Sequence, residues 1–232
     1  WSEISSNLFG TQSNSTASES TIVWQLRLPR VLLAFVVGSM LASAGCAYQG
    51  TFRNPLADPY LLGVSAGAGL GATIAIFSSS GATTFLLPLA AFAGALGAVV
   101  LTYSLGRSAI AGRSSTALIL AGVAVASLLT AIQTLLQQQN TDKIREIYAW
   151  VLGRLSTSGW NDLAIITPYI FVCIVILLRY RRVLDVFAVG DEEALTMGLP
   201  VARARAAIIV AASLGTAAAV AVTGLIGFVG II

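Results

Sequence analysis

Two sets of charged residues in this chain are spaced so as to engage another molecule. Arg27 and Arg30, in WQLRLPR, stand three apart and share one face if the segment is helical. Each guanidinium can pair with a carboxylate, or can anchor a span end by reaching to the membrane surface. Asp191, Glu192 and Glu193, in GDEEALTMGLP, form an acidic run bracketed by Gly190 and Gly198. Both sets suit ionic docking and neither suits catalysis. The chain has no histidine, the commonest general base and metal ligand. It also lacks a GxxxxGK[ST] phosphate loop. Cys46 and Cys173 fall in apolar runs, where a thiol behaves as a small hydrophobe. No catalytic residue, metal site or cofactor is expected.

The elements that must carry these charges are membrane spans. The 232 residues are 56% hydrophobic and 10% charged, with mean hydropathy +0.85. Ordinary soluble domains carry about 25% charged residues. A bilayer core of about 30 Å needs about 20 apolar residues per crossing. Six runs qualify, at 31–51, 60–78, 84–105, 116–137, 163–178 and 206–229. The fold class is therefore all-α, a polytopic transmembrane bundle, with no stretch left for a soluble domain. The formal charge of +3 bears on orientation, and no nucleic-acid partner is read into it.

Alternating the loops puts Arg53, Arg107, Arg113, Arg179, Arg181, Arg182, Arg203 and Arg205 on one side, and Arg27, Arg30, Lys143, Arg145 and Arg154 on the other. The positive-inside rule makes the first side cytoplasmic. Residues 1–26 then lie outside, and they do not read as a signal peptide. An outside start without a signal predicts at least one span upstream, so the chain is expected to be an internal piece of a longer protein.

Helices in lipid associate through small residues that let backbones meet. Gly38, Ala42 and Gly45 are expected to form such a face on the first span, and Gly63, Gly67 and Gly71 a stronger one on the second. Gln133 suits either a polar path through the bundle or the interface. In 139–162, Ile144, Ile147, Tyr148 and Val151 recur at helical spacing among charges. That pattern predicts an amphipathic helix lying on the outer surface or plugging the outer end of a path.

Residues 185–205 predict a cytoplasmic hairpin. The acids suit the positive end of a short helix, Gly198 can close it in the left-handed conformation, and Pro200 can open the next helix. Such a hairpin suits docking to a soluble partner or a simple turn.

Taken together, WQLRLPR, NPLADPYLLGVSAGAG, GDEEALTMGLP and GLIGFVG resemble the FecCD family of permease subunits of bacterial ABC importers for iron–siderophore complexes, haem and vitamin B12. The resemblance implies a ten-span fold in the bacterial cytoplasmic membrane, of which this chain lacks the first span and the last three. It also implies a second permease subunit, identical or related, two cytoplasmic ATPase subunits and an extracytoplasmic binding protein. On this resemblance Arg27 and Arg30 meet acids of the binding protein. Gly190, Asp191, Ala194 and Gly198, with Glu192 and Glu193 between them, match the segment that seats in the ATPase. Asp191 stands where the family commonly has glutamate, which keeps the charge. ATP hydrolysis would belong to another chain. The alternative is an ion-coupled secondary transporter, which usually needs ionisable residues within its spans. The ten acidic residues here lie outside the spans or at their edges.

Overall fold

The computed structural model describes residues 21–78, 86–107, 115–139, 141–153, 155 and 159–230. The extracytoplasmic segment expected at 1–26 lies mostly outside the described residues, as do Arg113 and Arg154. Nine α-helices are described: α1 (Leu28–Phe52), α2 (Val64–Ser78), α3 (Leu86–Gly106), α4 (Ser115–Gln139), α5 (Ile144–Val151), α6 (Trp160–Arg179), α7 (Arg181–Val189), α8 (Asp191–Thr196) and α9 (Val201–Thr223). No strand occurs among the described residues.

Among the described residues, five helical segments are long and apolar enough to cross a membrane: Ile22–Phe52, α3, Thr116–Gln139, α6 and α9. The sixth expected span is different. Helix α2 has 15 residues, about 22 Å at 1.5 Å per residue, short of a crossing. A 3₁₀ turn, Pro59–Leu62, and the left-handed Gly63 (φ 79°) precede it. The Asp58 side chain accepts the Tyr60 N–H at 2.8 Å and so starts that turn. The NPLADP loop is thus only partly superficial. Ala57, Asp58 and Pro59 are buried, and the chain folds back into the bundle.

Two clusters form the core. The larger joins α1, α6, α7, α8 and α9 through residues such as Leu33, Met40, Ile170, Phe187 and Ile208. The smaller joins α2, α3, α5 and α9 through Val64, Ala68, Ala95, Trp150 and Val220. Helix α9 belongs to both and is the central post. Its alanine-rich sequence lets neighbours approach from several directions. Buried Tyr48 of α1 is tied to it by a 2.5 Å hydrogen bond to Ser213.

The glycines divide. Gly67 and Gly71 touch α3 backbone to backbone, at Gly94 and Ala90, and a Cβ at either would overlap the facing carbonyl oxygen. Gly63 does not continue their ladder, because it is the hinge ahead of the helix. The face expected on the first span does not form in this chain. Ala42 is exposed, and a Cβ on Gly38 would have nothing within 4 Å. Gly45 points elsewhere, to the backbone of Gly230.

That contact exists because the last span ends early. Helix α9 stops at Thr223, Gly224 takes φ 74°, and the apolar run to Gly230 is non-helical, where a helix was expected to 229. Unwound backbone inside a bundle must find partners. The Tyr60 hydroxyl donates to the Ile226 carbonyl at 2.7 Å, and Gln49 Nε2 to the Gly230 carbonyl at 2.8 Å. Hydropathy alone does not register this break, since glycine, leucine and valine read as membrane in either conformation.

Gly67→Leu and Gly71→Leu are expected to lower stability by about 1–3 kcal/mol or more, as overpacking against backbone does. Gly38→Leu is expected to be close to neutral. Thermal unfolding of the three variants in detergent checks the contrast.

Candidate functional site

Helices α7 and α8 make a hairpin at the same end of the bundle as the close of α1. Leu184 of α7 packs over Gly50, where a Cβ would sit 3.3 Å from Leu184 Cδ2. Helix α7 was not foreseen as an element. Its signal is the spacing of Val183, Leu184, Val186 and Phe187 between Arg181, Arg182 and Asp185, easily overshadowed by the adjoining span. Phe187 is fully buried.

Asp191, Glu192 and Glu193 occupy the first turn of α8, as their charges and the helix dipole favour. Glu192 and Glu193 are exposed, whereas Ala194 is fully buried against the hairpin's own core. The helix closes in a Schellman motif. Gly198 takes φ 77°, its N–H reaches the Leu195 carbonyl at 2.9 Å, and the Leu199 N–H reaches the Ala194 carbonyl at 3.1 Å. Pro200 then caps α9. The outer side of α8 and its C-cap present Leu195 and Met197, 61% and 65% exposed, beside Glu192 and Glu193, neither of which makes an ion pair among the described residues. The result is an exposed apolar ridge edged by carboxylates.

Asp191 is turned the other way. Both its oxygens accept from Arg205 Nη2, at 2.7 and 2.8 Å, across the junction with α9. The Arg205 guanidinium also lies 5.3 Å from the centre of the Phe187 ring. Arg205 figured in the sequence only as one of several positive charges. Nothing local pairs it with an acid 14 residues earlier, because the pairing depends on how the hairpin turns.

At the opposite end, Arg27 and Arg30 are both exposed, and neither makes an ion pair among the described residues. They do not mark the start of a helix, since the helix continues upstream through a π-helical stretch, Ile22–Arg27. Its wider turn, with the Leu28 N–H bonded to the Val23 carbonyl, absorbs the ring of Pro29, which would clash in a regular α-helix. The two arginines therefore project from the side of a continuous helix. Trp160 Nε1 of α6 donates to the Trp24 carbonyl at 2.9 Å and braces this end.

Helix α5 packs against α2, and its buried residues are Ile147 and Trp150. Tyr148, expected on the apolar face with Ile144, Ile147 and Val151, is 55% exposed. Lys143 holds the start of α5 by donating to the carbonyls of Ile76 and Phe77, 2.8 and 3.3 Å away, at the C-terminal end of α2. The other end of α5 meets the break after α9: a Cβ on Gly153 would lie 2.8 Å from the Leu225 carbonyl oxygen. Gln133 is half-buried with its side-chain amide over Gly69 of α2, at 2.9 Å from a built Cβ.

The whole chain, residues 1–232, matches the model of the FecCD transport family. The chain belongs to that family. A cobalamin import system permease protein, BtuC, from Halobacterium salinarum is 42% identical over 91% of the chain. A hemin transport system permease protein, HmuU, from Yersinia pestis is 36% identical over 95% of it. The chain spans 57% of the length of the first relative and 67% of the second. Among solved structures, an ABC transporter described as of metal-chelate type, in an inward-facing conformation, is similar with TM-score 0.86. It is 31% identical, over 96% of this chain and 70% of that one. The similarity places this FecCD chain in a known permease architecture and bears out the all-helical bundle.

Lys143→Met removes a charged donor from two carbonyls, an interaction of about 1.5–3 kcal/mol. Hydrogen exchange across 144–151 is expected to rise about tenfold or more in this variant, with the rate at α9 unchanged.

Proposed function

We propose that this chain is the membrane-spanning part of a permease subunit in a binding-protein-dependent ABC importer, carrying a metal chelate across a bacterial cytoplasmic membrane. Cargo of this class includes iron–siderophore complexes, haem and cobalamin. The relatives named for cobalamin and hemin support the class, and an iron–siderophore complex is the cargo most common in such a family. The observation that carries the reading is the α7–α8 hairpin. It offers an exposed apolar ridge edged by Glu192 and Glu193 while its buried side is fastened to a span.

On this reading residues 185–205 face the cytosol, and the ridge with Glu192 and Glu193 seats in one of two ATPase subunits. A second permease subunit completes the path. Gln133, half-buried on the long and mostly exposed α4, lines it. Arg27 and Arg30, free of acidic partners within the described chain, receive carboxylates of the binding protein on the opposite face. The chain performs no chemistry itself, and hydrolysis is the work of the ATPase partners. Lipid surrounds the exposed apolar faces of α3, α4 and α6.

Two outcomes are expected in the full-length transporter. Arg27→Glu with Arg30→Glu weakens docking of the binding protein, and the loss relative to wild type shrinks as salt rises. Equal affinity across salt would leave the arginines as lipid anchors. Glu192→Lys with Glu193→Lys loosens the ATPase complex while membrane insertion is retained. Unchanged cargo-stimulated ATP hydrolysis would contradict the placement of the hairpin.

A further inference from the structure

We propose that Arg205 is a positioning residue that makes the hairpin and α9 move as one lever. The proposal rests on the reading that the hairpin docks the ATPase. Without such a joint the hairpin would be poorly coupled to the span. The connection between α8 and α9 is Met197 to Pro200, and it contains Gly198 in the left-handed conformation, a natural swivel. A force applied to the exposed side of α8 would be dissipated there.

Arg205 closes that swivel from the far side. It stands near the start of α9, reaches the first residue of α8 through both Asp191 oxygens, and covers the ring of Phe187 near the end of α7. One side chain therefore touches all three helices. Its surroundings make the link stiff. The Arg205 side chain is only 11% exposed, Phe187 and Ala194 are fully buried, and Ala204 beside it belongs to the same core. Arginine suits the task because one terminal nitrogen reaches both carboxylate oxygens while the face of the flat cation rests on an aromatic ring. Lysine offers a point charge and no such plane.

The lever then has a defined path. Asp191 anchors α8 to α9, α9 carries Ser213 hydrogen-bonded to Tyr48 of α1, and at its far end α9 abuts α5 and the unwound segment after Gly224. A tilt of the hairpin is transmitted to both core clusters, because α9 contributes to each.

The test uses the complete transporter in lipid nanodiscs, with spin labels at Val189 of the hairpin and Val210 of α9, both exposed in this chain and outside the docking ridge, in a background free of other cysteines. The wild type is expected to give one narrow distance distribution. Arg205→Met is expected to widen it by about twofold or more, with the ATPase subunits still co-purifying. Transport per ATP hydrolysed is expected to fall about fivefold, within the range that residues along a coupling route command. The exchanged pair, Asp191→Arg with Arg205→Asp, should narrow the distribution again and recover part of the ratio, which a general loss of stability would not allow. An unchanged width in Arg205→Met overturns the lever and leaves ATPase docking intact. A widened distribution with an unchanged transport-to-ATP ratio contradicts docking at the hairpin, and the lever falls with it.

Discussion

Inside a bilayer, a peptide group without a hydrogen-bond partner has no water to turn to, and the arrangement of this chain depends on that constraint. Where helices are continuous the constraint is met locally. Where they break, at Gly63 and Gly224, it must be met by something else. Thr102 donates to the Leu62 carbonyl at 3.0 Å, Tyr60 to Ile226, and Gln49 to Gly230. Each polar side chain in these places answers a carbonyl released by a break. The glycines beside them let the irregular backbone lie close enough to be reached.

The consequence is a bundle organised around α9. It is tied to α1 through Tyr48 and Ser213, surrounded by both clusters, and terminated by a segment that three elements help to hold. Its two ends have different neighbours. One end is joined through Arg205 to a compact hairpin with an exposed acidic ridge. The other meets α5, itself clamped to α2 by Lys143. A central helix connected at both ends is a suitable element for passing motion from one side of a membrane to the other.

The residues disclosed some of this directly. Apolar length defined five of the six expected spans and overcounted at 60–78, where the turn at Gly63 shortens the helix, and the glycine at position 198 marked a left-handed close because the acidic start two turns earlier left few alternatives. Other features depended on distance in space. Asp191 and Arg205 meet only because the hairpin folds back on itself. Helix α7 is short, and the arginines at its start, Arg181 and Arg182, read as the flank of the preceding span. The end of α9 is invisible to hydropathy, since GLIGFVG is apolar whether it is helical or extended. Gly38 and Ala42 had the right spacing for a helix contact but face no neighbour within this chain, because spacing fixes which residues share a face and leaves open which face is covered.

The central claim is that the hairpin is where an ATPase partner docks. Site-specific photo-crosslinking from position 195 in the assembled transporter tests it most directly, with position 35 on the exposed flank of α1 as control. The account predicts that a crosslinker replacing Leu195 captures the ATPase subunit, while one replacing Phe35 does not. Failure to capture the ATPase from position 195, in a complex that still hydrolyses ATP in response to cargo, would contradict it.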